Sequence, residues 1–433
     1  MTAVVASLLA MLFGLLASGV WIGLALVATA LGLGFLFLSL PLDRLLAQYA
    51  FGILTTPDLV ALPLFVLMGE FLFRTKLSAA LFSGLAPWAG LLPGRLLHVN
   101  IVGCTIFAAI SGSSAATTQV VGRMTLKELL ARGYAPEIAI GSLAGAGTLG
   151  FLIPPSTVMI IYGVLADESI LRLFTAGIVP GLLLAGCFSA WIVLHTTLRP
   201  ELVPESERRL RRAGLGVRIA ALRELGPVLL LILCVLGSMY GGLATPTEAA
   251  ALGVVGAAAI AWRQKALSPA VLRAIALGTV QTSSIMGLII LGAKILGNVA
   301  AVLGIPDAAA ATVSSWNLSP ILLIVALMLF YLLLGTVLEG FSMIATTLPV
   351  VLPIVTAAGF DKLWFGIFLV LVVEMAQITP PVAFNFVVIQ SLTGRSTGFI
   401  ARVTFPYLLI MMGFVLLLAA FPELVSFLPD RIL

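Results

Sequence analysis

Apolar runs recur along the whole chain, and two of them are interrupted in the same way. Stretches such as PILLIVALMLFYLLLG, Pro320 to Gly335, lack the in–out alternation of barrel strands. They approach the ~20 residues that a helix needs to cross a bilayer. Without water in the bilayer core the backbone must satisfy its own polar groups, and this pattern leaves helices as the solution. The first interruption is SGSSAATTQVVG, Ser111 to Gly122, in which eight of twelve residues are Ser, Thr, Gln or Gly and none is charged. The second is GFSMIATT, Gly340 to Thr347, which resembles GSSAATT, Gly112 to Thr118. Beyond each lies a proline pair in an apolar run: GAGTLGFLIPPSTVMIIYG, Gly145 to Gly163, and VEMAQITPPVAFNFVVI, Val373 to Ile389. The pairs Pro154-Pro155 and Pro380-Pro381 are offset by 226 residues, and the polar motifs by 228 or 229. The chain therefore reads as an all-α polytopic membrane protein built from two related halves.

Charge places these halves in the membrane. Only 9% of the 433 residues are charged, against about 25% in a soluble protein. The one long polar segment, Arg199 to Glu224, holds seven arginines and sits near the midpoint, so the positive-inside rule assigns it to the cytoplasm. Both flanks of the first polar motif are basic too, with Lys76, Arg74 and Arg95 before it and Arg123, Lys127 and Arg132 after it. A segment that enters and leaves on one side is a re-entrant hairpin. In the second half the corresponding segment is flanked by Asp307, Asp361 and Lys362 and enters from outside. This scheme predicts about ten transmembrane helices plus two re-entrant hairpins, both termini outside, and 18 of the 23 Lys and Arg inside. Its parts are a first inverted repeat over 1–198 (hairpin 96–122, broken helix 136–165), a basic cytoplasmic linker over 199–226, and a second inverted repeat over 227–433 (hairpin 320–356, broken helix 363–393). Inverted repeats are characteristic of secondary transporters. The N-terminus lacks a basic region before its apolar run and reads as a retained span.

The chemistry available is that of uncharged oxygens. Cys104, Cys187 and Cys234 are scattered without metal-ligand spacing, and His98 and His195 are far apart. An intramembrane serine hydrolase using Ser113 or Ser114 would need a base, and neither histidine falls near the motif in this topology. Proline pairs remove amide donors and break a helix, and the freed carbonyls must be satisfied by protein, water or an ion. Na⁺ suits carbonyl and hydroxyl oxygens. A first cation site is expected from Ser111, Gly112, Ser113 and Thr117 at the tip with Gly147, Thr148 and Gly150 at the break. By the repeat, a second is expected from Gly335, Glu339, Gly340, Ser342, Thr379 and Pro380. Substrate is expected between the tips, near Ser114, Thr118, Pro154, Pro155, Thr346, Thr347, Pro381 and Asn385. The competing use of such Gly, Ser and Thr clusters is close helix packing. Glu339 and Glu374 lie in apolar sequence, where an ionisable group is functional by default.

Taken with LPLFVLMGEFL (Leu62 to Leu72), FAAISGSSAATT (Phe107 to Thr118), RGYAPE (Arg132 to Glu137), IPPSTVMIIYG (Ile153 to Gly163), LFTAGIVPG (Leu173 to Gly181), the EGFSMI stretch and TPPVAFN (Thr379 to Asn385), the chain resembles the large membrane subunit of tripartite ATP-independent periplasmic (TRAP) transporters. The resemblance implies an elevator-type importer and no enzyme, multi-pass in the bacterial inner membrane. It implies sodium coupling by about two or more ions, with no organic cofactor. The implied partners are a periplasmic substrate-binding protein (P type) that delivers a carboxylate, a small four-helix membrane subunit (Q type) expected as a separate chain, and membrane lipid; nucleic acid is not among them. It carries a sodium role over to Ser111, Gly112 and Ser113. Members often have an acidic residue where this chain has Thr117. A related carboxylate carrier working without a binding protein is the alternative.

Overall fold

The computed structural model describes residues 1–38, 42–75, 77–209, 213–380 and 383–432, with the side chains of 42–46, 77–81 and 209 also outside the description. The described residues form helices and no strand. The first half comprises α1 (Thr2–Ala17), α2 (Ile22–Phe37), α3 (Leu42–Leu54), α4 (Ala61–Phe73), α5 (Leu77–Ala89), α6 (Leu97–Ser111), α7 (Ser114–Ala131), α8 (Pro136–Gly147), α9 (Thr157–Ala166) and α10 (Ile170–Leu198). A connector containing α11 (Glu205–Arg209) leads to α12 (Leu215–Tyr240), α13 (Pro246–Arg263), α14 (Pro269–Val302), α15 (Ile305–Ser315), α16 (Pro320–Leu334), α17 (Gly340–Ala357), α18 (Lys362–Ala376), α19 (Phe384–Thr393) and α20 (Thr397–Ala420), then the short α21 (Glu423–Ser426) and α22 (Pro429–Ile432).

Small polar residues in apolar sequence set where these helices begin. Ser113, Ser156, Ser169, Ser268, Ser319 and Ser396 each accept a bond from an amide in the first turn of the helix that follows. Such caps satisfy donors that lipid cannot. Asp361 does the same for α18, and Thr245 with Glu248 forms a reciprocal capping box on α13. The two halves recur element by element. Ser114 and Gly340, Pro136 and Lys362, Thr157 and Phe384, Ile170 and Thr397 open corresponding helices 226, 226, 227 and 227 residues apart.

Among the described residues, five helices are long and apolar enough to cross a membrane alone: α10, α12, α14, α17 and α20. A sixth candidate is the pair Ala47–Leu54 and Pro57–Phe73, bent by 59°. The apolar arms α6, α9, α16 and α19 have only 10–15 residues. At 1.5 Å per residue they reach roughly 15–22 Å, short of the ~30 Å hydrocarbon core. They lie in the segments expected as hairpins and broken helices. The expected connector over 199–226 is shorter in the structure, since α12 begins at Leu215. LGVRIAALRELG already carries apolar residues at helical spacing and simply continues into the apolar run.

Two groups of helices can be traced through the packing, joined by extensive contact. In one, α7 lies on α6, α8 and α19, α8 lies on α20, and α18 lies between α16, α17 and α10. In the other, α14 lies on α2, α3 and α4, α13 on α4, and α12 on α5 and α13. The sets meet where α4 and α5 cover α6 and where α14 and α15 cover α17.

Candidate functional site

The first hairpin turns in two residues. Gly112 follows α6 with φ +54°, a left-handed conformation that favours glycine, and Ser113 caps α7. The Thr117 hydroxyl donates to Ser113 O at 2.7 Å and lies 2.9 Å from Ser111 Oγ, so it closes the inside of the turn.

The tip docks into the first helix break, residues 148–156 between α8 and α9. Thr157 bonds Gly112 O through both its hydroxyl, at 2.8 Å, and its amide, at 3.4 Å. Close approach is possible because Gly150 has no Cβ: one there would strike Ser114 Cα and lie 2.6 Å from its backbone nitrogen. A Cβ on Gly147 would strike the Thr118 hydroxyl. Pro154 and Pro155 are buried in this break. Thr148 does not join the tip. Its hydroxyl turns back to Gly145 O at 2.7 Å and lies 3.5 Å from Met411 Sδ on α20. The reason is local, because a threonine at a helix end readily bonds a carbonyl three residues back.

The second break, described at 377–380 and 383, reaches the same place from the other half. Asn385 Nδ2 donates to Ser114 Oγ at 2.9 Å, and Ser114 Oγ donates to Gly147 O at 3.0 Å. One fully buried hydroxyl therefore links the first tip to both broken helices. Glu374 adds a second link. Its Oε1 accepts the Phe151 amide at 2.6 Å, and its fully buried Oε2 has no protein partner. Asn385 Oδ1, Thr118 Oγ1 and Ser342 Oγ are likewise buried with no protein partner. Three of these oxygens, Glu374 Oε2, Asn385 Oδ1 and Thr118 Oγ1, belong to residues that meet the first break or Ser114.

The second tip is longer, five residues from Gly335 to Glu339, and α16 and α17 diverge around α18. Gly335 and Glu339 line a cavity of ≈ 160 Å³ with Ala376, Gln377 and Phe384 from the second break. Gly340 packs on Val373 and Gln377. Thr379 is half-buried, bonding Met375 O at 2.7 Å, and Pro380 is exposed. Pro381 lies outside the described residues. Of the remaining expected substrate residues, Thr347 is engaged with Tyr331 Oη and Met343 O, both at 2.7 Å, and Thr346 bonds Ser342 O at 2.5 Å. Thr347 therefore ties α17 to α16 through Tyr331, whereas Thr346 bonds only within α17. Sequence reasoning passed over Thr157 and Gln377; each is a polar residue flanking a proline pair, and that position was the available signal.

Residues 9–424 match the family described as the DctM component of the tripartite ATP-independent periplasmic transporter. This chain belongs to that family. The DctM component is a transporter permease and not an enzyme, and it forms one part of a multi-component system. This permease is 33% identical over 377 residues to the C4-dicarboxylate TRAP transporter large permease protein DctM of Pseudomonas aeruginosa, covering 86% of each chain. It is 31% identical to the isethionate TRAP transporter permease protein DctMQ of Oleidesulfovibrio alaskensis, covering 94% of this chain and 62% of that one. The crystal structure of the YdaH transporter of Alcanivorax borkumensis, reported for an unusual topology, shares the fold at TM-score 0.64. That likeness covers 93% of this permease and 97% of YdaH at 17% identity.

Proposed function

We propose that this permease imports a small organic acid together with sodium, by an elevator movement, from a periplasmic substrate-binding protein. The observation that carries this reading is the junction at Ser114, where one tip and two broken helices converge on buried oxygens with no protein partner. Broken helices direct partial charge of opposite sign at the site from their two ends, which suits a cation and an anionic solute together. Ser111, Ser113 and Thr117 with Gly147 and Gly150 form the first sodium site; Gly335, Glu339 and Gln377 face the second. A carboxylate is the first solute class to try, since a relative transports C4-dicarboxylates. The set α6–α10 with α16–α20 is the moving body, and α1–α5 with α12–α15 is the fixed one. The two halves stand inverted in the bacterial inner membrane, and a small four-helix subunit of the Q type accompanies the fixed body.

Proteoliposomes test this reading. Uptake is expected to require both the binding protein and external sodium. Full uptake under a proton gradient in sodium-free buffer overturns the sodium assignment. Ser113→Ala is expected to raise the half-saturating sodium concentration by about tenfold, the loss of one oxygen near an ion, with protein abundance unchanged. A fall in abundance alone assigns Ser113 to packing.

A further inference from the structure

Two segments that join the two sets of helices meet at one cavity. The first, residues 90–96, runs from α5 into α6; the second, residues 199–214, runs from α10 into α12. The second is bound down at residues 202–207. Leu202 O accepts the Ala135 amide at 3.2 Å, Val203 is buried, and Glu207 pairs with Arg132 at 3.1 Å. The first is shaped by Gly94 and Arg95, both with positive φ, and by His98, whose Nε2 donates to Pro93 O at 2.7 Å. The segments touch where an Arg95 guanidinium N–H donates to Arg208 O at 3.1 Å.

Between them lies a cavity of ≈ 250 Å³ lined by Gly90, Leu91–Arg95, Thr196, Val203 and Arg208. Among the described residues, its charged lining is two arginines and no carboxylate. The larger cavity of ≈ 720 Å³ elsewhere in the protein differs, since Asp58, Asp167 and Glu168 outnumber Lys294 there. A guanidinium carries several N–H donors in a planar fork, and that fork suits phosphate oxygens. The arginine bias puts this cavity at the cytoplasmic surface, where basic pockets between membrane helices recognise anionic headgroups.

We propose that this cavity binds a phosphate-bearing anion, gripped by Arg95 on one connector and Arg208 on the other. The occupant ties the two connectors together. Its chemistry is that of a phosphatidylglycerol headgroup or of free phosphate. Binding does not depend on the elevator reading; the consequence for transport does.

The test is a titration of the full chain in neutral detergent, following its thermal midpoint. Short-chain phosphatidylglycerol is expected to raise the midpoint saturably. Arg208→Gln, at an exposed side chain, is expected to weaken the half-saturation point by about tenfold, the loss of one charge-assisted bond. Gly90→Leu is expected to weaken it as well by filling the cavity, since a Cβ there meets only Arg95 Nη1, at an ordinary 3.6 Å. Arg263→Gln, another basic position on α13, is expected to leave it unchanged. A matching response to inorganic phosphate supports a soluble anion, and a response to the lipid alone supports the headgroup. Absence of saturation with both probes overturns the proposal, as does an equal loss in Arg263→Gln, which marks diffuse surface attraction.

Discussion

Gly150→Ala is expected to reduce solute uptake to below roughly a tenth of wild type, because the added methyl group has nowhere to go. It meets the Ser114 backbone, not the end of a flexible side chain, so the hairpin tip must move as a unit. Overpacking of this kind costs about 1–3 kcal/mol or more, and here the displaced tip carries Ser111, Ser113 and Thr117. Gly186→Ala is the comparison. That glycine lies inside α10 with nothing within 4 Å of where a methyl group would sit, and alanine there is expected to be neutral or stabilising by up to ~1 kcal/mol. Uptake and thermal midpoint measured for both variants separate a steric effect at the tip from a general intolerance of substitution. Wild-type uptake in Gly150→Ala would show that the tip and the break are not held in this close contact.

Ser114→Ala is expected to lower stability by about 1–3 kcal/mol, the cost of leaving buried polar groups unpaired. The methyl side chain strands Asn385 Nδ2, which belongs to an amide whose oxygen already has no protein partner. It also takes one bond from Gly147 O, although that carbonyl keeps the Gly150 amide at 3.1 Å. Asn385 sits 271 residues away in the chain, so the effect reports on contact between the two halves. A double-mutant cycle with Asn385→Ala makes this specific. Residues in one hydrogen-bond network couple, whereas independent sites add within about 0.5 kcal/mol. Additive losses for this pair would remove the link between the first tip and the second break.

Much of this arrangement was legible in the residue pattern. An uncharged polar motif in apolar sequence marks a hairpin tip, and a proline pair marks a helix break, because both conclusions follow from local backbone chemistry. The spacing of the repeat then carries over to the starts of four pairs of helices. Other features depend on partners that the pattern does not name. Ser113, expected as an ion ligand, also serves as a helix cap. Thr148 turns to its own helix, and Thr347 turns to Tyr331, because each found a nearer acceptor or donor. The halves also differ where composition gave little warning. The helix corresponding to α14 is broken in the first half, at Thr55–Asp58, where Pro57 opens a new helical segment. The second half has no proline at the equivalent position and runs through as one helix of 34 residues. Convergence of both breaks on Ser114 is a tertiary fact, and no local pattern in either half specifies it.

The oxygens gathered at the tips are proposed to bind sodium that travels with the solute. Counting radioactive sodium and labelled solute entering the same proteoliposomes tests it most directly, with the binding protein supplied outside and the membrane potential clamped. Sodium is expected to enter with each solute in a fixed ratio of about two or more, and Ser113→Ala is expected to change the sodium dependence of both fluxes together. Solute entry with no accompanying sodium would contradict it.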